Sequence, residues 1–364
     1  ILYIFHNEET LWYKLQQEKT NMSNKLTGSV VVIGGGISGM LSALDLANSG
    51  YYVYLVEKGP SIGGVMAQLD KTFPTNDCAM WIISPTLVEV GRHLNIELLT
   101  LSEVIDVKGE KGNFQVEILK KPRYVDVNLC VGCGACAEKC PGKFDDTYNA
   151  DLIKRTAIYV EYPQAVPLKY AINPDICLKL TKDKCGTCED VCPANAIDYT
   201  QTKEKINIEA GSIIFSPGFT PFDPEKFDNY QYANFPNVVT SMEFERILSA
   251  TGPTMGHVTT FPQLPINPKK KKDKLLAEKR KDPKKIAWFQ CVGSRDINKC
   301  DNPYCSSVCC MYAVKEAIIA KEHAGGDLDC SIFYMDMRTP GKEFEKFYQR
   351  SEERRVGKEC RSRW

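Results

Sequence analysis

The chain carries no net charge: its 364 residues hold 46 Lys plus Arg against 46 Asp plus Glu. That balance excludes the bulk basic field that draws a protein to nucleic acid, and no arginine-rich motif replaces it. Long apolar runs are missing as well. The most apolar stretch, Val30 to Ala47, is interrupted by Gly34 to Gly36 and by Asp45, short of the ~20 apolar residues that cross a bilayer. A secretory leader with its small-residue cleavage site is also absent. The sixteen cysteines therefore do not read as the disulfide scaffold of a small secreted domain. What remains is a soluble, cytoplasmic globular chain, 43% hydrophobic and long enough for more than one domain at the usual ~100–200 residues each.

The cysteines are the first thing that is there. Cys130, Cys133, Cys136 and Cys140, followed by Pro141, form C-x2-C-x2-C-x3-C-P. This spacing wraps three ligands round a cubane iron–sulfur cluster and sends the fourth to a second one. Cys177, Cys185, Cys188 and Cys192, followed by Pro193, repeat the ending with a longer first gap. The pair of motifs predicts a two-cluster ferredoxin domain. Cys130, Cys133 and Cys136 should share one cluster with Cys192, and Cys177, Cys185 and Cys188 the other with Cys140.

Upstream, Ser29 to Ile33 is a β-branched strand that runs into Gly34-Gly-Gly36-Ile-Ser-Gly39 and a helix over Met40 to Ser49, with Leu41, Leu44 and Leu46 on its buried side. A second strand, Tyr52 to Val56, ends in Glu57. This is the βαβ dinucleotide fingerprint. Gly34 permits the tight turn, Gly36 lets backbone N–H groups reach a pyrophosphate, and Gly39 lets helix and strand pack closely. The helix N-terminus favours the phosphates, and Glu57 is placed to bind a ribose. No second G-x-G-x-x-G occurs, so a separate nicotinamide site is not encoded.

The remaining segments are less explicit. Cys78, in Phe73-Pro-Thr-Asn-Asp-Cys78, is either a redox thiol or a buried small hydrophobe. Ile96–Thr100, Glu103–Lys108 and Asn113–Lys120 read as three strands of a meander, and Ile206 to Gly218 as one return strand. Lys269–Lys272 and Lys279–Lys281 read as a solvated basic face. Cys291, Cys305, Cys309 and Cys310 sit on a strand end, a loop and a helix start over about Cys309 to Lys321. Their spacing leaves open a third cluster, buried thiols or a redox disulfide, and Cys300 lies between them. The expected division is 1–28 as an N-terminal extension with Met22 as the natural start, 29–122 as the first part of a dinucleotide domain, and 123–201 as the inserted ferredoxin. A return strand over 202–218, a Pro- and Lys-rich linker over 219–284 and the start of a second α/β domain over 285–349 follow. The segment 350–364 reads as an adapter-like tail, with the natural protein continuing past Gln349.

Two resemblances add to this. Glu57-Lys58 through Gly63-Gly64 resembles the flavoprotein disulfide reductase and amine oxidase pattern, and Ser216-Pro217-Gly218 is similar to the Ala-Thr-Gly turn of those flavoproteins. More widely, the chain from Ser29 to Gln349 resembles the A-subunit of heterodisulfide reductase. The resemblance is carried by the glycine turn with Glu57, the Cys78 run, the paired cysteine motifs, Gln290-Cys291-Val-Gly-Ser-Arg-Asp296, Tyr304-Cys305 to Cys309-Cys310-Met-Tyr, and Met335-Asp-Met-Arg-Thr-Pro-Gly341. It implies an α/β, thioredoxin-reductase-like FAD-binding Rossmann-type domain with an inserted α+β two-cluster ferredoxin domain. Gly34, Gly36, Gly39, Glu57, Gly63, Gly64 and Gly218 would hold FAD, and Cys291, Cys305, Cys309 and Cys310 a third iron–sulfur cluster. The implied function is that of an oxidoreductase component of anaerobic, methanogenesis-type metabolism, passing electrons between flavin and [4Fe-4S] clusters. Its implied partners are the other subunits of such a complex and a hydrogenase or dehydrogenase donor; whether the flavin bifurcates electrons is not encoded. Trp81 departs from the family, since several members have a second cysteine there. Two rivals are an NAD(P)H oxidoreductase similar to the small subunit of glutamate synthase and a non-catalytic electron-carrying subunit.

Overall fold

The computed structural model describes residues 27–226, 228–260, 280–325, 327–353 and 357–358, which fall into two compact units. The first runs to Ala67 and takes up 81–144 and 155–219; the second gathers 68–80, 145–154 and the chain from Thr220 onward.

In the first unit, strand β1 (Ser29–Ile33) buries Val30, Val31 and Val32 in succession, as a strand covered on both faces must. Helix α1 (Ile37–Asn48) buries Met40, Ala43, Leu44 and Ala47, the i, i+3, i+4, i+7 set of one helical face. Leu41, expected inside, is 48% exposed because it stands one residue off that face. Strand β2 (Tyr52–Val56), helix α2 (Ala79–Arg92) and strand β3 (Ile96–Leu99) follow.

The expected meander is corrected here. β3 pairs parallel to β2, Val53 opposite Ile96, because α2 carries the chain back across the sheet. The antiparallel sheet consists instead of β4 (Ser102–Glu110), β5 (Asn113–Lys120) and a later strand, β6 (Glu204–Ala210), in the order β6-β5-β4. The expected single return strand also divides. β6 ends at Gly211, where a Cβ would lie 2.2 Å from the Thr27 carbonyl oxygen, so the corner takes only glycine. β7 (Ser212–Phe215) then joins the parallel sheet, whose order is β7-β1-β2-β3.

Lys120 pairs with Glu204 at the end of the β5–β6 ladder, so everything between them is an insertion at a hairpin tip. Its two ends are tied together: Tyr124 N–H donates to Gln201 Oε1 at 2.7 Å and Val125 bridges Ile197. Inside are three short helices, α3 (Ala135–Lys139), α4 (Leu178–Lys182) and α5 (Thr187–Asp190). The buried core of the insert is Val125, Ile158, Ile172 and Ala196 together with Cys130, Cys136, Cys177 and Cys188. Half of this small core is thiol.

The second unit contains helix α6 (Ser241–Leu248), strand β8 (Lys285–Phe289), helix α7 (Cys309–His323), strand β9 (Asp329–Phe333), helix α8 (Phe344–Glu353) and a two-residue strand β10 (Gly357–Lys358). β8 and β9 run parallel, with α7 between them in sequence, and β10 pairs with β9 inside the segment expected to be a tail. The core joins Trp288, Val314, Ala317, Ile318, Cys330 and Ile332 to Phe244, Ile247 and Leu248. Thus the stretch expected as a linker contains a buried helix. A capping box starts α6: Thr240 Oγ1 accepts from Glu243 N–H at 3.2 Å, and the Glu243 carboxylate accepts from Thr240 N–H. The run Lys269–Lys272 lies outside the described residues. Phe73 packs edge-on to Phe347 at 4.8 Å, which helps place 68–80 in this unit.

Candidate dinucleotide and iron–sulfur sites

The glycine turn lies at the carboxyl ends of β1 and β7, where the strand order reverses, the usual ligand crevice of an open parallel sheet. Gly34 has φ +105°, and a Cβ there would lie 2.1 Å from the Ser216 carbonyl oxygen. A Cβ on Gly39 would fall 1.8 Å from the Gly34 carbonyl oxygen, so this position closes the turn on the helix. At Gly36, by contrast, a Cβ would meet nothing within 4 Å. The helix behind it has no side-chain cap, leaving first-turn N–H groups facing an open space. A dinucleotide pyrophosphate fits that combination of room and donors.

The other predicted residues collect round the same turn. Glu57 accepts from Gly35 N–H and Gly59 N–H, both at 2.7 Å, one bond per carboxylate oxygen, which leaves further acceptor capacity for a ribose. Gly63 N–H donates to the Gly35 carbonyl at 2.8 Å, and a Cβ on Gly64 would lie 2.9 Å from Gly36 Cα. Gly218, at φ +74°, follows β7 through Ser216 and Pro217. Sequence distances of up to 184 positions between Gly34 and Gly218 are closed by the sheet.

In the insert, the eight cysteines surround two hollows. One is walled by Cys130, Cys133, Cys136 and Cys192, with Val131, Tyr170 and Ile197. The other is walled by Cys140, Cys177, Cys185 and Cys188, with Ile158, Leu178 and Tyr199. Each motif thus contributes three cysteines to one hollow and one to the other. The exchange follows from the helices: α3 holds Cys136 and ends at Cys140, while α5 holds Cys188 and is followed by Cys192. Among the described residues no three His, Cys, Asp or Glu side chains converge on an ion-sized point; the cysteines stand round a space instead.

Burial pushes the Cys136 thiol up to about 12. Burial also raises Cys188, whose sulfur is 2.9 Å from the Tyr199 hydroxyl. Cys185 is shifted down, first by the Thr187 backbone N–H. Ala196 N–H donates to Cys192 Sγ at 3.3 Å. Apolar walls with N–H groups aimed at sulfur suit a group that brings its own positive charge to several thiolates.

The late cysteines form a separate group in the second unit. Cys291, just past β8, adopts φ 61°, and Cys309 and Cys310 open α7. The thiols of Cys291, Cys309 and Cys310 act on one another, which holds Cys309 far below the usual thiol range and drives its two neighbours up. Cys305 lies within electrostatic reach of Cys291 and accepts from Ser307 N–H at 3.3 Å. Sequence reasoning missed the charged groups beside them. Asp336 pairs with Arg295 and, at 2.8 Å, with Arg338, while Cys310 Sγ lies 3.9 Å from the Asp336 carbonyl. All three charged residues stand in the motifs that carry the family resemblance, which was the available signal. Cys300 is perturbed by burial and by Asp296, not by the other cysteines. Cys330 is a core thiol against the Ala317 carbonyl. Cys78 bridges Lys71 in the second unit, and Trp81 is 81% exposed.

Comparison with known proteins supports the two kinds of domain. A family model described as an NAD(P)-binding Rossmann-like domain matches residues 32–86, and one described as a 4Fe-4S binding domain matches 123–144. A protein of Archaeoglobus profundus, named as similar to the A-subunit of heterodisulfide reductase, is 46% identical over 350 residues, covering 89% of this chain and 49% of its own length. The chain belongs to the heterodisulfide reductase A-subunit family. The iron–sulfur A-subunit of the CoB–CoM heterodisulfide reductase of Methanocaldococcus jannaschii is 46% identical over 325 residues, 89% of this chain and 46% of that one. The A-subunit of the H(2):CoB-CoM heterodisulfide,ferredoxin reductase of Methanothermobacter marburgensis is 43% identical over 340 residues, 93% of this chain and 48% of that one. The chain spans about half the length of these heterodisulfide reductase relatives. Among the described residues no helix is long and apolar enough to cross a membrane.

Proposed function

We propose that this chain is the flavin- and iron–sulfur-bearing electron-transfer part of a heterodisulfide-reductase-type oxidoreductase. The observation that carries the reading is the exchange of cysteines between the two hollows, in the same compact unit as the open glycine turn. FAD is the dinucleotide, [4Fe-4S] clusters belong in both hollows, and a third cluster belongs with Cys291, Cys305, Cys309 and Cys310. When bound, FAD supplies a carrier of two electrons or one, and each cluster a carrier of one.

The residues of the chain do the holding. The N–H groups behind Gly36 receive the pyrophosphate, Glu57 the ribose, and Gly63, Gly64 and Gly218 keep backbone rather than side chains at the crevice. In the insert, apolar groups wall much of each hollow, and the N–H and O–H groups at Cys192 and Cys188 favour the reduced, more negative state. The proposed partners are the remaining subunits of such a complex and a hydrogenase or dehydrogenase donor; the relative named for H(2) supports the first kind. The proposed role of the cysteines as ligands rather than as disulfide partners supports the cytoplasm.

Anaerobic purification with flavin and iron determination tests the reading. About one FAD and eight to twelve irons per chain are expected, at four irons for each cubane. Iron without flavin in the full-length protein, or NADH bound in place of FAD, overturns it. A finer check is Gly36→Ala. The space around Gly36 is open, so thermal stability should hold while FAD affinity drops about tenfold or more as the methyl group takes the place of the phosphate.

A further inference from the structure

The loop Pro60–Gly64 lies against the glycine turn, yet part of what fixes it comes from the insert. Ile62 N–H donates to the Val166 carbonyl at 2.9 Å, and the Ile62 carbonyl accepts from the Tyr162 hydroxyl. The Pro60 carbonyl accepts from the Arg123 guanidinium at 2.6 Å, and the same nitrogen donates to Thr100 Oγ1 at 2.8 Å. Arg123 is 7% exposed. A Cβ on Gly63 would fall 2.4 Å from the Tyr162 hydroxyl, so the fit leaves no slack. Three backbone groups of a dinucleotide loop are thus satisfied by Arg123, Tyr162 and Val166, all of them inside the insertion.

One of these residues, Arg123, also reaches toward the first hollow. Arg123 donates to the Lys169 carbonyl at 3.3 Å, and Lys169 Nζ donates to the Cys130 carbonyl. A Cβ on Gly132, in the same ligand loop, would lie 3.1 Å from the Leu168 carbonyl. A continuous path therefore runs from the Cys130–Gly132 loop through 168–169 to Arg123 and Val166, and on to Ile62 and Gly64 beside Gly36.

We infer that Arg123 and Tyr162 are positioning residues that couple occupancy of the Cys130 hollow to the shape of the FAD loop, so that cluster binding and flavin binding strengthen each other. The physical reason lies in the insert core, half of which is cysteine. Binding a metal group to such a core supplies much of its folding free energy. An ordered insert holds the 60–64 loop in its closed position, and a loosened insert releases it. Coupling of this kind is reciprocal: whatever factor the cluster adds to flavin affinity, flavin adds to cluster affinity.

The inference rests on the assignment of FAD to the glycine turn, and the experiment separates the two. FAD affinity is measured by quenching of flavin fluorescence on the full-length protein, iron-replete and after anaerobic chelation of its iron, for wild type, Tyr162→Phe and Arg123→Lys. In the wild type, chelation should weaken FAD binding about tenfold, within the usual range of 5–150-fold for coupled sites. Iron-replete Tyr162→Phe should lose about fivefold in FAD affinity, as for one buried hydrogen bond, with unchanged iron content. In both variants the ratio between replete and depleted affinities should fall toward one. FAD should also slow iron loss to the chelator in the wild type and not in the variants. A wild-type ratio within twofold of one, or variants that keep the full ratio, overturns the coupling. Failure of the iron-replete wild type to bind FAD at all overturns the assignment of FAD instead.

Discussion

In the insert, eight cysteines stand in two sets of four round hollows with apolar walls, whereas at the head of α7 Cys291, Cys309 and Cys310 form one mutually perturbed group. The first arrangement follows from loop spacing. Two residues between Cys130, Cys133 and Cys136 carry the backbone round a space, and the short helices α3 and α5 deliver Cys140 and Cys192 across to the opposite hollows. The second follows from adjacency. Cys309 and Cys310 are neighbours on the first turn of a helix, so a third thiol from the end of β8 meets them at close range. One site is built round a volume and the other round adjacent thiols that perturb one another. Four of the eight thiols of the first belong to its buried core; those of the second sit beside a core made mainly of aliphatic and aromatic groups.

The largest expected effect that tests this contrast is in the insert. Cys136→Ala removes both a wall of the hollow and a buried core group, so it should cost about four irons per chain, the content of one cubane, together with cooperative thermal unfolding of the insert. Retention of all the iron would show that the hollow is not a ligand cage. Next is Cys309→Ala, which removes the shared thiol of the second site. It should lower iron content and alter the reduced-state electron paramagnetic resonance spectrum, while the melting of the second unit changes little. Cys300→Ala should leave both unchanged, and an equal loss from the two variants would mean that the contact group is not the ligand set.

A third difference concerns pH. Glu316 on α7 is fully buried, bonded to Trp288 Nε1 at 2.9 Å and to Ser241. Burial and then the neighbouring Glu245 charge raise its pKa well above the ordinary value. Glu245 is itself paired with buried Lys315 at 2.5 Å, and Asp70, in the same unit, is raised by burial and by Glu245. An unfolded glutamate releases its proton near about 4.3, while folded Glu316 keeps it to higher pH. Over that window the folded chain binds more protons, so stability is fullest below the unfolded pKa and declines as pH rises, by up to about 1.4 kcal/mol per pH unit for one proton. Glu316→Gln keeps an acceptor for Trp288 and should flatten the decline in denaturant titrations between pH 5 and 8, a range chosen from about 4.3 upward. An unchanged slope would place the pH sensitivity elsewhere. The smallest effect is Thr240→Ala, which removes the cap of α6 and should lower the stability of the second unit by about 1 kcal/mol, with no change in iron content.

Much of the first unit was legible because its signals are local. The β-branched run before Gly34, the glycine positions and Glu57 each fit a short-range requirement of one turn, and the cysteine spacing foretells the exchange of cysteines between the two hollows. The strand assignments failed where partners are remote in sequence. Ile96–Leu99 and Glu204–Ala210 have similar patterns, and only the crossover by α2 and the corner at Gly211 decide which sheet each enters. Helix α6 was missed because its neighbours are rich in proline and lysine, and its apolar residues gain meaning only against α7 and β8.

The sequence by itself determined the chemistry: which residues make a dinucleotide turn, which cysteines belong to which hollow, and that a ferredoxin lies between two strands of another domain. Those are matters of spacing along the backbone, and spacing survives without knowledge of the fold. Only the tertiary structure decided that Arg123 and Tyr162 of the insert complete the loop beside Gly36, that Asp336 and two arginines flank the late cysteines, and that 68–80 and 145–154 belong with the second unit. The contacts of Arg123, Tyr162 and Arg295 join residues 41 to 100 positions apart, where no local propensity constrains the pair and packing alone selects it.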